Sequence, residues 1–107
     1  MILTAPEVLI VIYRPKTPIH KSTRVYDLNC LASIWCCIEN VLLAMTEEEL
    51  SGVTFVPQHT TGLKNVLGIP IELEIAAIIP FRYRADDARL VNREDIRPEE
   101  RIHYDTW

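Results

Sequence analysis

Residues 28–45 read LNCLASIWCCIENVLLAM, and this stretch decides the architecture. Leu31, Ile34, Trp35, Ile38, Val41, Leu42 and Met45 recur at helical spacing. Cys30, Ala32, Cys37, Leu43 and Ala44 carry apolar character around most of the remaining circumference, and only Asn29, Ser33 and Asn40 make a thin polar stripe. Such a helix is expected to be buried at the centre of its fold, with Asp27 as its N-cap. The chain has 107 residues. A domain of that size covers a long apolar helix poorly by itself, so a second subunit is expected to supply part of the cover.

Outward from the helix, Val8 to Tyr13 is continuously apolar and β-branched, which predicts a central strand covered on both faces. Pro15 and Pro18 then impose a polar loop that runs to about Tyr26. On the other side, Thr46 to Glu49 closes the helix in acid, unfavourable beside the negative end of its dipole. Gly52 to Val56 reads as a short strand stopped by Pro57. A second helix is expected from Gly62 to Leu67, capped by Thr60 or Thr61 and ended by Gly68 with Pro70 beyond. Glu74 to Phe81 is a third, apolar strand. Together these predict one α+β domain over residues 1–107, with sheet and helices in 1–81 and a charged, irregular extension in 82–107. Two helices are too few to cover both faces of such a sheet.

Several functions are disfavoured. The net charge is −4 and no basic stripe is interleaved with aromatics, so no nucleic-acid partner is expected. The uninterrupted apolar runs fall short of the roughly 20 residues that span a bilayer, and no membrane segment is expected. Residues 1–7 lack the pattern of a secretory leader, which makes a cytoplasmic address the expectation. Cys30, Cys36 and Cys37 have neither metal-ligand spacing nor an even count, and read as reduced thiols packed in the core. His20, His59 and His103 stand far apart, and Glu47, Glu48 and Glu49 point in different directions on a helix, so no metal site and no catalytic dyad is expected.

Five stretches in order, ASIWCCIENVLLA (32–44), GVTFVP (52–57), GLKNVLGIP (62–70), AIIPF (77–81) and RIHYDTW (101–107), resemble the C-terminal half of the nitroreductase family. The resemblance implies a partial nitroreductase-like fold with a long dimer-interface helix and the N-terminal half missing. It also implies a homodimeric FMN oxidoreductase, with NAD(P)H as donor and nitro compounds, quinones or similar small molecules as acceptors. By the same resemblance Gly52, Val53 and Thr54 lie along the flavin ring, where glycine permits close approach, and Arg93 reaches the FMN phosphate. The family's N-terminal half supplies an arginine-rich phosphate cradle, and Met1 stands only a few residues before the first strand. The alternatives are a flavin-free remnant or interaction subunit, or one fragment of a split enzyme that pairs with a separate N-terminal half. Two departures stand out. Arg82-Tyr83-Arg84 replaces a Gly-Tyr-Pro turn, and Glu49 takes the place of a glycine after the long helix.

Overall fold

The computed structural model describes residues 5–21, 23–89 and 91–107. Residues 1–4, part of the stretch read for a leader, and Ser22 of the proline loop lie outside them. The sheet is antiparallel, with strand β3 (Glu74–Tyr83) between β1 (Glu7–Tyr13) and β2 (Leu50–Gly52). Helix α1 (Asn29–Glu47) crosses one face, and the short helix α2 (Thr61–Leu67) links β2 to β3. The architecture is α+β, as the sequence predicts.

β3 holds the fold because it is hydrogen-bonded along both edges and Ile75 to Pro80 are buried without a break. Register places Ile10 opposite Ile78 and Gly52 opposite Phe81. Ile38 and Met45 of α1 meet Ala77 and Ile79 in the core, and Ile34, Trp35, Val41 and Leu42 pack around them. Past β2 the ladder breaks at Val53 and resumes at Phe55, which exchanges two 2.8 Å backbone hydrogen bonds with Ile78.

The structure corrects several expectations. β1 is an edge strand, not a central one, and Val8, Leu9 and Ile12 are all more than one-third exposed. α1 is buried along one line only, with Leu43 60% exposed on the opposite side. Cys36 and Cys37 are exposed and Cys30 half-buried, so the thiols are free but not packed in a core of this chain. The common reason is that apolar composition reports that a surface needs cover without reporting which chain supplies it. α1 with the turn before it, Val25–Glu47, is also long and apolar enough to cross a membrane by length and composition, which the uninterrupted runs did not reveal. Here its inner face lies on the sheet.

The helix ends differ as well. A 3-10 turn at Val25–Leu28 precedes α1, and the Asp27 carboxylate accepts from the Thr23 amide at 3.3 Å rather than capping the helix. α2 ends as expected, on Gly68 in the left-handed conformation at φ 67°, whereas Thr60 stands at its N-cap without a side-chain hydrogen bond. Beyond β3 the described residues of the extension form no helix or strand apart from a 3-10 turn at Pro98–Glu100, and His103 stacks on Trp107 at 4.5 Å. The radius of gyration is 17.4 Å. A compact chain of this length has about 13 Å, so much of the molecule lies away from its core.

Glu49 marks the strain in the α1–β2 connection. Its φ is 58°, the left-handed region that costs a side-chain-bearing residue about 1 kcal/mol, while its carbonyl accepts from the Arg84 amide at 3.0 Å. Glu49→Gly keeps that hydrogen bond, removes the strain and removes an acid beside the helix C-terminus. After the added freedom of the unfolded chain is subtracted, it is expected to stabilise the fold by about 0.5–1 kcal/mol. Glu49→Ala relieves only the charge and is expected to gain less. Thermal melts of the two variants check the order.

Candidate functional site

Antiparallel pairing of β2 with β3 puts Ser51 opposite Arg82 and Gly52 opposite Phe81. Side chains alternate along a strand, so Pro80, Arg82 and Arg84 project to one face while Ile79 and Phe81 project to the α1 face. At this end of the sheet is a cavity of about 380 Å³ lined by Ser51, Gly52 and Val53 from the β2 side and Pro80, Phe81, Arg82 and Arg84 from the β3 side. Ala5, Ala85 and Ala88 complete the wall. Its volume lies within the range of small-molecule sites, and its lining combines an apolar majority with a few polar groups, as such sites do.

Gly52 is needed for packing. A Cβ built on it would come 3.2 Å from the Ile79 methyl, 3.2 Å from the Met45 sulfur and 3.4 Å from the Phe81 Cβ. The missing side chain thus lets β2 press against α1 and β3, and this close approach sets the depth of the cavity floor. The Val53 amide is directed at the Pro80 carbonyl, 3.4 Å away.

Of the residues expected to bind cofactor, Gly52 and Val53 line this cavity and Thr54, half-buried, stands next to it in the chain. Arg93 does not join them. It is exposed in a segment without regular structure and is absent from the cavity wall. Arg82 and Arg84, read from sequence only as a departure from a turn, are the cations that the fold brings there. Their i, i+2 spacing at the end of an apolar strand was the available signal.

A second group of polar residues lies between β1, α2 and β3. Lys64 is nearly buried, and its Nζ donates to Glu74 Oε2 at 3.0 Å. Sequence reading missed this pair, because ten residues and a turn separate its members. Glu74 also pairs in register with Tyr13, whose hydroxyl pKa is raised first by burial, then by the Glu74 carboxylate and by Cys30. The pair and the tyrosine fix the far end of the sheet rather than the cavity.

An antiparallel sheet centred on β3, crossed by one long helix and closed by a short one, is a partial nitroreductase-like fold. Two solved structures share it. One is iodotyrosine deiodinase bound to FMN and 3-iodo-L-tyrosine, 23% identical with a TM-score of 0.70, aligned over 96% of this chain and 48% of that one. The other, from Clostridium acetobutylicum and assigned as an NADH oxidase, is 18% identical with a TM-score of 0.68, aligned over 97% of this chain and 60% of that one. The chain thus spans about half the length of the first and three-fifths of the second. No family model and no curated protein matches it.

Tyr13 supplies a pH test of the sheet's far end. Because its folded pKa is raised, the folded state holds the phenolic proton more tightly than the unfolded chain. The stability this contributes is complete below the unfolded value of about 10 and is lost as pH rises through the folded pKa. Tyr13→Phe is therefore expected to flatten the fall in stability above about pH 10. Denaturant melts at pH 8 and at successive alkaline values measure the slope, and an unchanged slope would remove Tyr13 from the account.

Proposed function

We propose that this chain forms part of an FMN-dependent oxidoreductase that takes electrons from NAD(P)H and delivers them to nitro compounds, quinones or similar small acceptors. The observation that carries the reading is the cavity beside Gly52 and Val53, an apolar recess floored by closely packed backbone, on a fold shared with a protein solved with FMN bound. The lining fits a flat aromatic ring system. Val53 offers apolar surface, and no carboxylate on the wall would oppose an anionic cofactor. FMN held there would supply the hydride and electron transfer between nicotinamide and acceptor, with Gly52, Val53 and Thr54 along its ring and Arg93 at its phosphate.

The chain's own residues position and shield. Gly52 and Val53 present backbone along the recess, and Thr54 continues that segment. Arg93 is assigned to the phosphate in this reading, which requires the exposed 91–97 segment to close toward the cavity or to reach the site of a neighbouring subunit. The N-terminal half of the fold would supply the remaining phosphate donors.

Homodimerisation through α1 belongs to the same proposal. Cys36, Cys37, Leu43 and Ala44 are exposed on the helix. Two polar side chains nearby bond within the helix, the Asn40 amide donating to the Cys36 carbonyl at 3.1 Å and the Thr46 hydroxyl to the Leu42 carbonyl at 3.0 Å. The exposed apolar positions of this face are suited to burial against a copy of the chain.

Because Ile38 faces the chain's own core and Leu43 faces outward, the two positions separate folding from association. Leu43→Asp is expected to shift the protein from dimer to monomer in sedimentation while its circular dichroism is retained. Ile38→Asp is expected to unfold it, since an uncompensated buried charge costs several kcal/mol. A Leu43→Asp protein that stays dimeric would exclude α1 as the interface. For the cofactor, Arg93→Ala is expected to weaken FMN by about 1.5–3 kcal/mol, the range for a hydrogen bond to a charged group, in the protein complemented with a nitroreductase-type N-terminal half. The chain alone is expected to bind little flavin, and a titration followed by flavin absorbance compares the two. A flavin-free interaction subunit would bind none in either form.

A further inference from the structure

The cavity that the proposed function assigns to redox chemistry carries a feature which that function does not use. Two arginines converge on it, and no Asp or Glu contributes to its wall. The ion pairs among the described residues are Arg14 with Glu72, Lys64 with Glu74, and Arg97 with Glu100, so neither Arg82 nor Arg84 is neutralised by one. In a chain of net charge −4, two unpaired cations at the mouth of an apolar recess produce a local field of the opposite sign to the whole molecule. Their placement is fixed by backbone. Arg82 is locked in register opposite Ser51, and the Arg84 amide donates to the Glu49 carbonyl, extending the ladder one rung past β3. Residues two apart on an extended strand share a face, so both guanidinium groups serve one side of the cavity.

We propose that this cavity takes an organic carboxylate, an acceptor with a flat apolar body whose anionic end is held by Arg82 and Arg84. The planar guanidinium fork matches a carboxylate with two parallel hydrogen bonds. The same fork also matches phosphate oxygens, and the apolar lining beside the two arginines is what favours an organic carboxylate over inorganic phosphate. The apolar residues Val53, Ala85 and Ala88 then meet the body of the ligand. The word acceptor rests on the oxidoreductase reading, whereas the anion site stands on Arg82 and Arg84 alone.

The test is an amide-shift titration of the full chain with benzoate, with neutral benzamide and with inorganic phosphate. Benzoate is expected to move the amides of Gly52, Val53 and Arg82 and to bind at least tenfold more tightly than benzamide, with phosphate weaker than benzoate. The double variant Arg82→Gln, Arg84→Gln is expected to bring benzoate and benzamide to equal affinity, while Arg82→Lys, Arg84→Lys retains a preference for the anion. Equal affinities in the unmodified chain, a preference that survives the glutamine pair, or phosphate binding tighter than benzoate would each overturn the proposal. An FMN titration of the complemented protein separates the two readings. Flavin binding without carboxylate preference removes the anion site and leaves the oxidoreductase, and carboxylate preference without flavin binding does the reverse.

Discussion

The contact of α1 with β3 is the constraint on which the other elements depend. Ile38 and Met45 reach Ala77 and Ile79 across the sheet, and Gly52 lets β2 close against the same two elements without a side chain in the way. Were Gly52 to carry a methyl group, either Met45 or the β2 backbone would have to move, because a contact of 3.2 Å is closer than carbon and sulfur tolerate at rest. The cavity is a consequence of this packing. Its floor is the back of the tight β2–β3 ribbon, and its arginines stand where β3 passes from buried to exposed residues.

Much of this was legible from sequence because local signals and the fold agree. The six consecutive buried residues of β3 are apolar in sequence, and Gly68 ends α2 in the backbone conformation that glycine adopts freely. What failed was the assignment of cover. Val8, Leu9 and Ile12 look like the interior of a central strand, yet β1 lies at the sheet edge; Cys36 and Cys37 look like core and face outward. Hydrophobicity records that a surface needs cover, and the fold of this chain covers only part of it.

The candidate site was half legible for a related reason. Gly52 and Val53 could be found by resemblance to a family, and they line the cavity. Arg82 and Arg84 read against that family as damage to a turn, so the i, i+2 spacing that puts them on one face went unused; the structure brings both to the same recess. Lys64 and Glu74 were hidden in the opposite way, since their pairing depends on how α2 folds back onto the start of β3.

The excess of the radius of gyration over that of a compact chain bears on how these parts work together. Val91, Ile96, Ile102, Tyr104 and Trp107 are each more than half exposed in the extension, and Leu43 is exposed on α1. At about 25 cal/mol per Å² of apolar surface removed from water, covering several such side chains stabilises an assembly by several kcal/mol, comparable to the net stability of a small domain. In the proposed dimer, folding and association are coupled rather than sequential. The elements that build the cavity are the best-packed part of the chain, whereas Arg93 sits in the part with least packing of its own. Any role for Arg93 at the cofactor therefore depends on assembly, and any role for Arg82 and Arg84 does not, since the backbone that carries them is already hydrogen-bonded within one subunit.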